Sequence, residues 1–574
     1  MTESTHFTAG NTPDAPRSDR PELLTALAAD LRGIGYTLDG VAGLLGESAS
    51  TALNRDQLIP ALIVTETATH GDPRTVALAA VVRLWLLAVP QTVETLDAAL
   101  PGIRTEGLLT LGLVEPVPGA GDPAESGAVI AAKADLRPYG WEGTAGEDAP
   151  GSGGAELWVA SDLAAHQQAG VLRHDHVLGI GQASTTLVQS TIRRHVAKAL
   201  DVGTGCGIQS FHLLHHCEHV TATDISARAL AFARFNVLLN AEALHVDPAR
   251  LEDRVSLRLG SLLEPVAGEE FGLVVSNPPF VITPRSLGEA ATDQFTYRDG
   301  GLPGDEIVSR LVASLPSVLA PGGTAQMLGN WEITAGKSWD ERPQDWAGTD
   351  TDVWFIQREQ VGPEQYAETW LQDASEGRDR SLYARAYGAY LDDFAARDVE
   401  AIGFGMIWLR RPDVVSASAD AGVTDPGAAV PGAAVPGAAV IRRFEEITYP
   451  IEQPVGPHLG AAVERADWLA TNVLAETHLL VADDVTEERH QRPGAEHPGV
   501  ILLRQGAGLR RTNLLSTELA GFVSACDGDL SVRQIIGALE ALLGGADGFD
   551  GEALRSGLLA EVGNLVRDGF LLPV

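Results

Sequence analysis

The chain has 574 residues, room for three or four domains, and its 45% hydrophobic content is that of an ordinary globular protein. A net charge of -36 and a pI near 4.7 argue against broad, charge-driven binding to nucleic acid, although a local basic patch stays compatible with them. Three cysteines, Cys206, Cys217 and Cys526, make no disulfide framework and point to a reducing compartment.

The polar start, residues 1–20, has no apolar core for a signal peptide and reads as a disordered tail. Residues 21–155 form an expected N-terminal region, mainly helical. Apolar residues recur at three- and four-residue spacing in "ELLTALAADLRGIGY" and "TVALAAVVRLWLLAV". The second run is broken by Arg83 and is too short to span a bilayer. A soluble cytoplasmic protein with no membrane partner is expected. "TVETLDAALPGIRTEGLLTLGLVEPV" reads as helix, turn, helix, strand, an order that suits a winged helix or a plain helical cap. Residues 117–155 are rich in Gly, Ala, Pro and acid and read as a linker.

Strands and helices alternate over 156–457, the mark of a parallel α/β sheet. Strands are expected at "HVAKALDV", "HVTATDIS", "RVSLRLG", "FGLVVSNPPF", "TAQMLGNWEI", "AIGFGMIWLRR" and "AVIRRFEEITYP", the last two as a hairpin. Between those two, the segment 416–440 contains "PGAAVPGAAVPGAAV" and reads as a low-complexity loop. Residues 458–574 make a third, α+β region with a second candidate winged helix.

"ALDVGTGCG" follows a strand and precedes a helix. Asp201, Gly203, Gly205 and Gly207 stand in it as D-x-G-x-G-x-G. Glycine is required where backbone turns sharply and approaches a ligand. A dinucleotide fingerprint started at Gly203 would need glycine at Ile208, and one started at Gly205 would need it at Ser210. Neither register fits. Asp224 ends the next strand, where a carboxylate can accept both hydroxyls of a ribose. Loop and acid together predict a nucleoside cofactor lying across the strand ends.

This pair resembles the cofactor site of class I S-adenosylmethionine-dependent methyltransferases. The resemblance implies a central, doubly wound, seven-stranded sheet flanked by smaller, mainly helical domains. It also implies S-adenosyl-L-methionine as cofactor. The glycines would pass under its methionine part, Asp201 would orient the amino-acid end, and Asp224 with Ile225 would take the ribose side. The family often has an acid after the third strand. Here that place reads "LGSLLEP", so Ser261 or the Leu262 backbone would serve the adenine.

The fourth strand runs into Asn277-Pro278-Pro279-Phe280, which resembles the [N/D/S]-P-P-[Y/F/W] motif of methyltransferases acting on planar NH2 nitrogens. Such a nitrogen is a poor nucleophile because its lone pair is delocalised. The Asn277 side-chain oxygen and the Pro278 carbonyl would each accept one N–H, holding the nitrogen in place and favouring the charge that develops on it. Phe280 would stack on the flat target. "TYRDGGLPGDEIV", Thr296 to Val308, parallels a Gly-rich segment of the release-factor glutamine methyltransferase (HemK/PrmC-like) family and reads either as a lid or as a helix start capped by Asp305. Gln182 to Thr186 would wall the cofactor pocket.

Two further signals have plain alternatives. His212, His216, Cys217 and His219 have ligand-like spacing, but the helix they begin on should pack against the sheet. Arg504, Arg510 and Arg511 form a small basic cluster that is either ordinary surface or a docking patch. The predicted partner is a protein carrying the target glutamine, such as a translation release factor. Ribosomal RNA with an exocyclic purine amine is the alternative acceptor, and a non-catalytic cofactor-binding regulator is the third reading.

Overall fold

A computed structural model describes residues 7, 12–68, 70–120, 125, 127–143, 153–168, 172–284, 300–373, 380–413, 441–544 and 550–574. The fold has two compact units. The first holds Met1–Val188, Arg194–Gly348 and Glu359–Arg411, and the second holds Gln189–Arg193, Thr349–Arg358 and Pro412–Val574.

The first unit opens with four helices, Pro21–Ile34, Leu38–Leu53, Ile59–Ala68 and Pro73–Trp85. Local chemistry sets their starts. Proline stands at the head of the first, and the Thr37 and Asp72 side chains accept backbone N–H groups at the heads of the second and fourth. Leu24, Leu27, Ala28, Leu31 and Ile34 make the buried stripe of the first helix, as its spacing requires. Strand Gln91–Thr92, helices Val93–Ala99 and Arg104–Leu111, and strands Val114–Pro116 and Val129–Ala132 follow. Their three strands pair antiparallel with Val129–Ala132 in the middle. Parts of the expected tail are tied down: the Arg17 N–H donates to Leu111 O at 2.8 Å, and Asp14 pairs with Lys133 and Arg173.

The expected linker contains structure. Asp135–Trp141 and Ala155–Ser161 form an antiparallel pair. Compactness also groups the expected N-terminal and central regions in one unit. Asn236 and Asn240 show how this pair is held. Asn240 bonds both the N–H and the C=O of Trp158, at 2.8 and 2.7 Å. Asn236 takes the Ala160 N–H at 2.8 Å and donates to Ala160 O and Cys206 O, both at 2.9 Å.

The main sheet is built from β1 (Val196–Val202), β2 (Cys217–Asp224), β3 (Val255–Leu259), β4 (Phe271–Ser276), β5 (Leu319–Thr334), β6 (Asp352–Val361), β7 (Val399–Arg410) and β8 (Arg442–Glu446). Its order is β8-β6-β7-β5-β4-β1-β2-β3. The pairs β1–β2, β2–β3, β1–β4 and β4–β5 are parallel, and β5–β7 is antiparallel. The helices that concern the site are α1 (Gln182–Ser190), α2 (Ile208–Leu214), α3 (Ala227–Leu239), α4 (Glu306–Ser314), α5 (Pro363–Asp373) and α6 (Arg380–Ala396).

Two expectations are corrected. The sheet has eight strands instead of seven, because "DVWFIQREQV" is a strand with a continuous buried run rather than an alternating one. In addition, β8 runs parallel to β6, from Val353↔Arg442 to Gln357↔Glu446, so the two last strands are not a hairpin. The low-complexity segment between them lies outside the described residues.

The second unit carries helix Gly456–Thr471 and two three-stranded sheets, with helices Thr517–Val523, Val532–Leu543 and Gly551–Asp568 packed around Phe522, Val562, Leu565 and Phe570. In the basic cluster, Arg511 is buried, pairs with Glu445 at 2.7 Å and lies over the Trp354 ring. Arg504 pairs with Glu488, and Arg510 is exposed. The docking-patch reading therefore loses Arg511, while Arg504 and Arg510 stay at the surface.

Replacing Asn236 by alanine removes three hydrogen bonds to buried backbone. The first unit is expected to lose about 2–4 kcal/mol, read as a lower urea midpoint by tryptophan fluorescence. An unchanged midpoint would mean the pairing of 135–161 does not depend on this residue.

Candidate functional site

The strand order reverses beside β1: the chain winds outward through β2 and β3, then returns to β4 and β5 on the other side. In an open α/β sheet such a reversal leaves a crevice at the carboxyl ends of the strands. Register puts the expected residues there. Val202 pairs with both Thr223 and Ser276, and Asp224 pairs with Leu259. Gly203, Ile225, Gly260 and Asn277 therefore each begin the exit from neighbouring strand ends.

The glycine loop is held by the end of β2. Gly203 and Thr204 both donate to Thr223 O at 2.9 Å. Gly203, Gly205 and Gly207 have φ of 73°, 56° and 100°, the left-handed region that side chains disfavour. A Cβ placed on Gly203 or Gly205 would meet nothing within 4 Å. The loop thus presents bare backbone to open space, a cradle that side chains would fill.

Asp201 lies beneath this loop, wholly buried. Its Oδ2 accepts from Thr204 Oγ1 and Ser210 Oγ, both at 2.7 Å, while its Oδ1 is buried with no partner. Burial pushes its carboxyl up to about 6, opposed by the two hydroxyl donors. Asp224 accepts from Gly205 N at 3.0 Å and from Ser226 N at 2.8 Å, one bond per oxygen. Burial raises its carboxyl above the usual range too, against these backbone donors. Each of its oxygens keeps a second lone pair.

Ile225 is 62% exposed, an apolar side chain offered to solvent at the rim. Gly260 N bonds Asp224 O at 3.0 Å, which draws the Ser261–Leu262 turn to the same edge. Leu262 there has φ 48°, a strained value for a branched side chain. On the other flank, Gln209 donates to Ser184 O at 2.9 Å and ties the start of α2 to α1, the expected pocket wall. The crevice so formed has bare backbone, one unsatisfied carboxylate oxygen, two acids and an apolar rim. That set fits a cofactor with an ammonium group, a diol and a flat base.

The corner after β4 is the second component. Ser276 Oγ donates to Val202 O at 2.9 Å and fixes the strand's last residue against β1. Asn277 follows. Its Oδ1 is buried and has no hydrogen-bond partner, so a strong acceptor is presented with nothing to accept. Pro278 is buried, and Pro279 and Phe280 are partly exposed.

Tyr297, Arg298 and Asp299 lie outside the described residues. Asp305 does not cap α4 with its side chain. Its carboxylate accepts the Glu332 N–H at 2.9 Å and holds Arg342 at 2.6 and 2.7 Å. The histidines after the glycine loop are engaged in packing. His212 stacks on Trp141 with ring centroids 3.9 Å apart and meets the Tyr139 hydroxyl at 2.7 Å. His216 Nδ1 lies 2.9 Å from Arg194 O, and His219 Nε2 lies 2.9 Å from Ser256 Oγ.

Sequence reasoning missed Thr204 and Ser210, which hold Asp201. It also missed Tyr366 and Asn330, whose side chains meet behind the corner at 3.2 Å. Thr204 and Ser210 stand three and nine residues after Asp201, so a search for hydroxyls around the buried acid would have found them. Tyr366 carries no local signal.

Residues 162–296 match the family described as "Methyltransferase small domain", and residues 33–124 match a domain of unknown function (DUF7059). A ribosomal protein uL3 glutamine methyltransferase from Bradyrhizobium diazoefficiens is 28% identical over 187 residues, 32% of this chain and 55% of that one. Two release factor glutamine methyltransferases are also similar. The Geobacter sulfurreducens protein is 34% identical over 146 residues, 24% of this chain and 47% of its own. The Deinococcus radiodurans protein is 36% identical over 135 residues, 22% and 43%. The chain spans about half the length of these curated relatives. Among solved structures, a methyltransferase from Pyrococcus furiosus aligns with a TM-score of 0.24 and 14% identity, covering 42% of this chain and 90% of that one. The stretch 162–296, which holds the glycine loop, Asp224 and Asn277–Phe280, is thus similar to methyltransferase domains, and the chain resembles the glutamine methyltransferases of release factors and of protein uL3.

Proposed function

We propose that the protein transfers a methyl group from S-adenosyl-L-methionine to the side-chain amide nitrogen of a glutamine in a translation protein, a release factor or a ribosomal protein, in the cytoplasm. One observation carries this: Asn277 Oδ1, a buried acceptor without a partner, stands at the strand end next to the bare glycine loop.

When bound, the cofactor supplies an electrophilic methyl group on its sulfonium. Gly203, Gly205 and Gly207 give it room, Asp201 faces its cationic amino-acid end, Asp224 its diol, and Ile225, Ser261 and Leu262 its base. The rest is done by the corner. Asn277 Oδ1 and Pro278 O each accept one N–H of the target amide, which fixes the direction of the nitrogen lone pair. The same two oxygens stabilise positive charge as it grows on that nitrogen. Phe280 stacks on the planar amide. Once the nitrogen has four substituents it is strongly acidic, so its proton leaves without a dedicated base.

The flanking regions favour a protein acceptor over RNA. We read Pro73–Ala132 as a winged helix, since helix, strand, helix, helix, strand, strand occur in that order with the last strand central. Its candidate recognition helix, Arg104–Leu111, exposes Glu106 and an Arg104 already paired with Asp97 at 2.7 Å. Nothing on it is free to neutralise phosphate. Residues 517–573 repeat helix, strand, helix, helix, strand and form our second candidate winged helix. Among the described residues no helix is long and apolar enough to cross a membrane.

The direct test is incubation with methyl-labelled cofactor and the host's purified release factors and uL3, read by mass spectrometry. We expect one added methyl on a glutamine. Label that appears only in ribosomal RNA would overturn the protein reading. Asn277→Ala should lower kcat at least 100-fold, about 3 kcal/mol of lost transition-state stabilisation, and leave cofactor affinity within twofold by calorimetry.

Asp201 predicts a pH dependence. A cation bound at this carboxyl lowers its pKa from about 6, so the complex holds fewer protons than the free protein. Cofactor affinity should therefore rise as pH climbs through about 6 and level off above it. Asp201→Asn should weaken binding and flatten this profile. Equal affinity at pH 5 and pH 7.5 in the unaltered protein would rule out the role given to Asp201.

A further inference from the structure

A buried backbone N–H just past the Asn-Pro-Pro-Phe corner finds its acceptor 84 residues further along the chain. Ile282 N donates to the Tyr366 hydroxyl at 2.8 Å. The hydroxyl also receives Asn330 Nδ2 at 3.2 Å. Ile282, Asn330 and Tyr366 are all buried.

The corner lies between two anchors. Its entry is local: Ser276 is paired with Val202 and Met327 on the two adjoining strands. Its exit has no continuous ladder among the described residues, only an isolated bridge at Phe280. Pro278 and Pro279 lack N–H groups, so the first exit amide shown to be bonded to a side chain is Ile282. A buried amide has to be satisfied, and here a side chain does it.

Tyr366 is itself immobilised. Its ring stacks on Phe404 with centroids 5.8 Å apart and planes 19° apart, and meets Phe394 edge-on at 5.5 Å and 86°. Asn330 and Phe404 face each other across β5 and β7, so one cross-strand pair grips both the hydroxyl and the ring. Asn330 stands three residues beyond Met327, the partner of Ser276, so along β5 it lies about 10 Å past the end of β4 at roughly 3.3 Å per residue. On α6, Tyr390 and Phe394 meet the Tyr366 ring, and Leu371 of α5 only shares the apolar cluster that also holds Ile282.

We propose that the Tyr366 hydroxyl is a positioning residue: it fixes the exit of the Asn277–Phe280 corner and so sets the rate of methyl transfer without contributing to cofactor binding. The statement about rate rests on the function proposed above. The statement about the corner does not.

The experiment uses full-length Tyr366→Phe, which keeps the ring and removes only the hydroxyl. Hydrogen exchange in peptides covering Phe280–Thr283 should speed up at least tenfold. Cofactor affinity should stay within twofold, and kcat on the methylated acceptor should fall about tenfold with little change in KM, as expected when an aligned acceptor is loosened. Leu371→Ala, in the same cluster but without a polar contact to the corner, should lower the Tm while leaving both exchange at 280–283 and kcat within twofold. Unchanged exchange in Tyr366→Phe would overturn the proposal. So would a kcat loss of equal size in Leu371→Ala, since general loosening would then explain it. A wild-type protein that methylates neither release factors nor uL3 would refute the proposed function, and the exchange measurement would still decide whether Tyr366 pins the corner.

Discussion

The carboxylate of Asp224 is the joint on which the cofactor crevice depends. One oxygen takes Gly205 N from the glycine loop, and the other takes Ser226 N at the head of α3. The preceding carbonyl, Thr223 O, takes Gly203 N and Thr204 N. Four backbone N–H groups that no helix or ladder satisfies thus end on two consecutive residues of β2. An asparagine could accept only one of the two side-chain bonds, because its second terminal atom is a donor. The loop can stay glycine-rich and bare because its shape is imposed from outside by this strand end.

Four asparagines of the first unit show the difference between holding a fold and holding a reactant. Asn236 and Asn240 have the oxygen and the amide nitrogen both bonded to backbone. Asn277 and Asn330 each leave Oδ1 buried and unpartnered. An unsatisfied buried acceptor costs about 1–3 kcal/mol, so a site meant only for stability would avoid it. Both stand at the carboxyl end of the sheet, on or after adjacent strands, and Asp201 Oδ1 repeats the pattern at β1. Buried polar atoms without a partner occur elsewhere too, among them Asp135 Oδ1 and Glu540 Oε1, but at these three strand ends a ligand could supply the missing donors.

What the sequence made legible was whatever is encoded over short spacing. The glycine loop, Asp224 and the Asn-Pro-Pro-Phe corner each announce themselves within a few residues of a strand, and register brings them together. The Asp135–Ser161 pair was hidden because its strands flank a Gly- and acid-rich stretch and are bonded sideways by Asn236 and Asn240 rather than covered by an alternating pattern. β6 was hidden because its buried run does not alternate. The partner of β8 was misread since adjacency in sequence favours a hairpin, whereas Phe355 and Phe444 stack across a parallel pair, 5.3 Å apart. Tyr366 was beyond reach because a hydrogen bond across 84 residues leaves no trace in local spacing.

The corner therefore cannot be understood as a motif alone. Its entry is stiffened by β4, whose neighbours are encoded in the same stretch of chain. Its exit is stiffened by a hydroxyl on α5, which follows β5 and β6 in the chain. The two prolines remove flexibility between those points but also remove the N–H groups that could have bonded locally. With no N–H on either proline, the bonded anchor past the corner is the Ile282 N–H, and Tyr366 of α5 accepts it. On this view the short polar corner and the distant Tyr366 hydroxyl form a single device that holds the Asn277 oxygen in place.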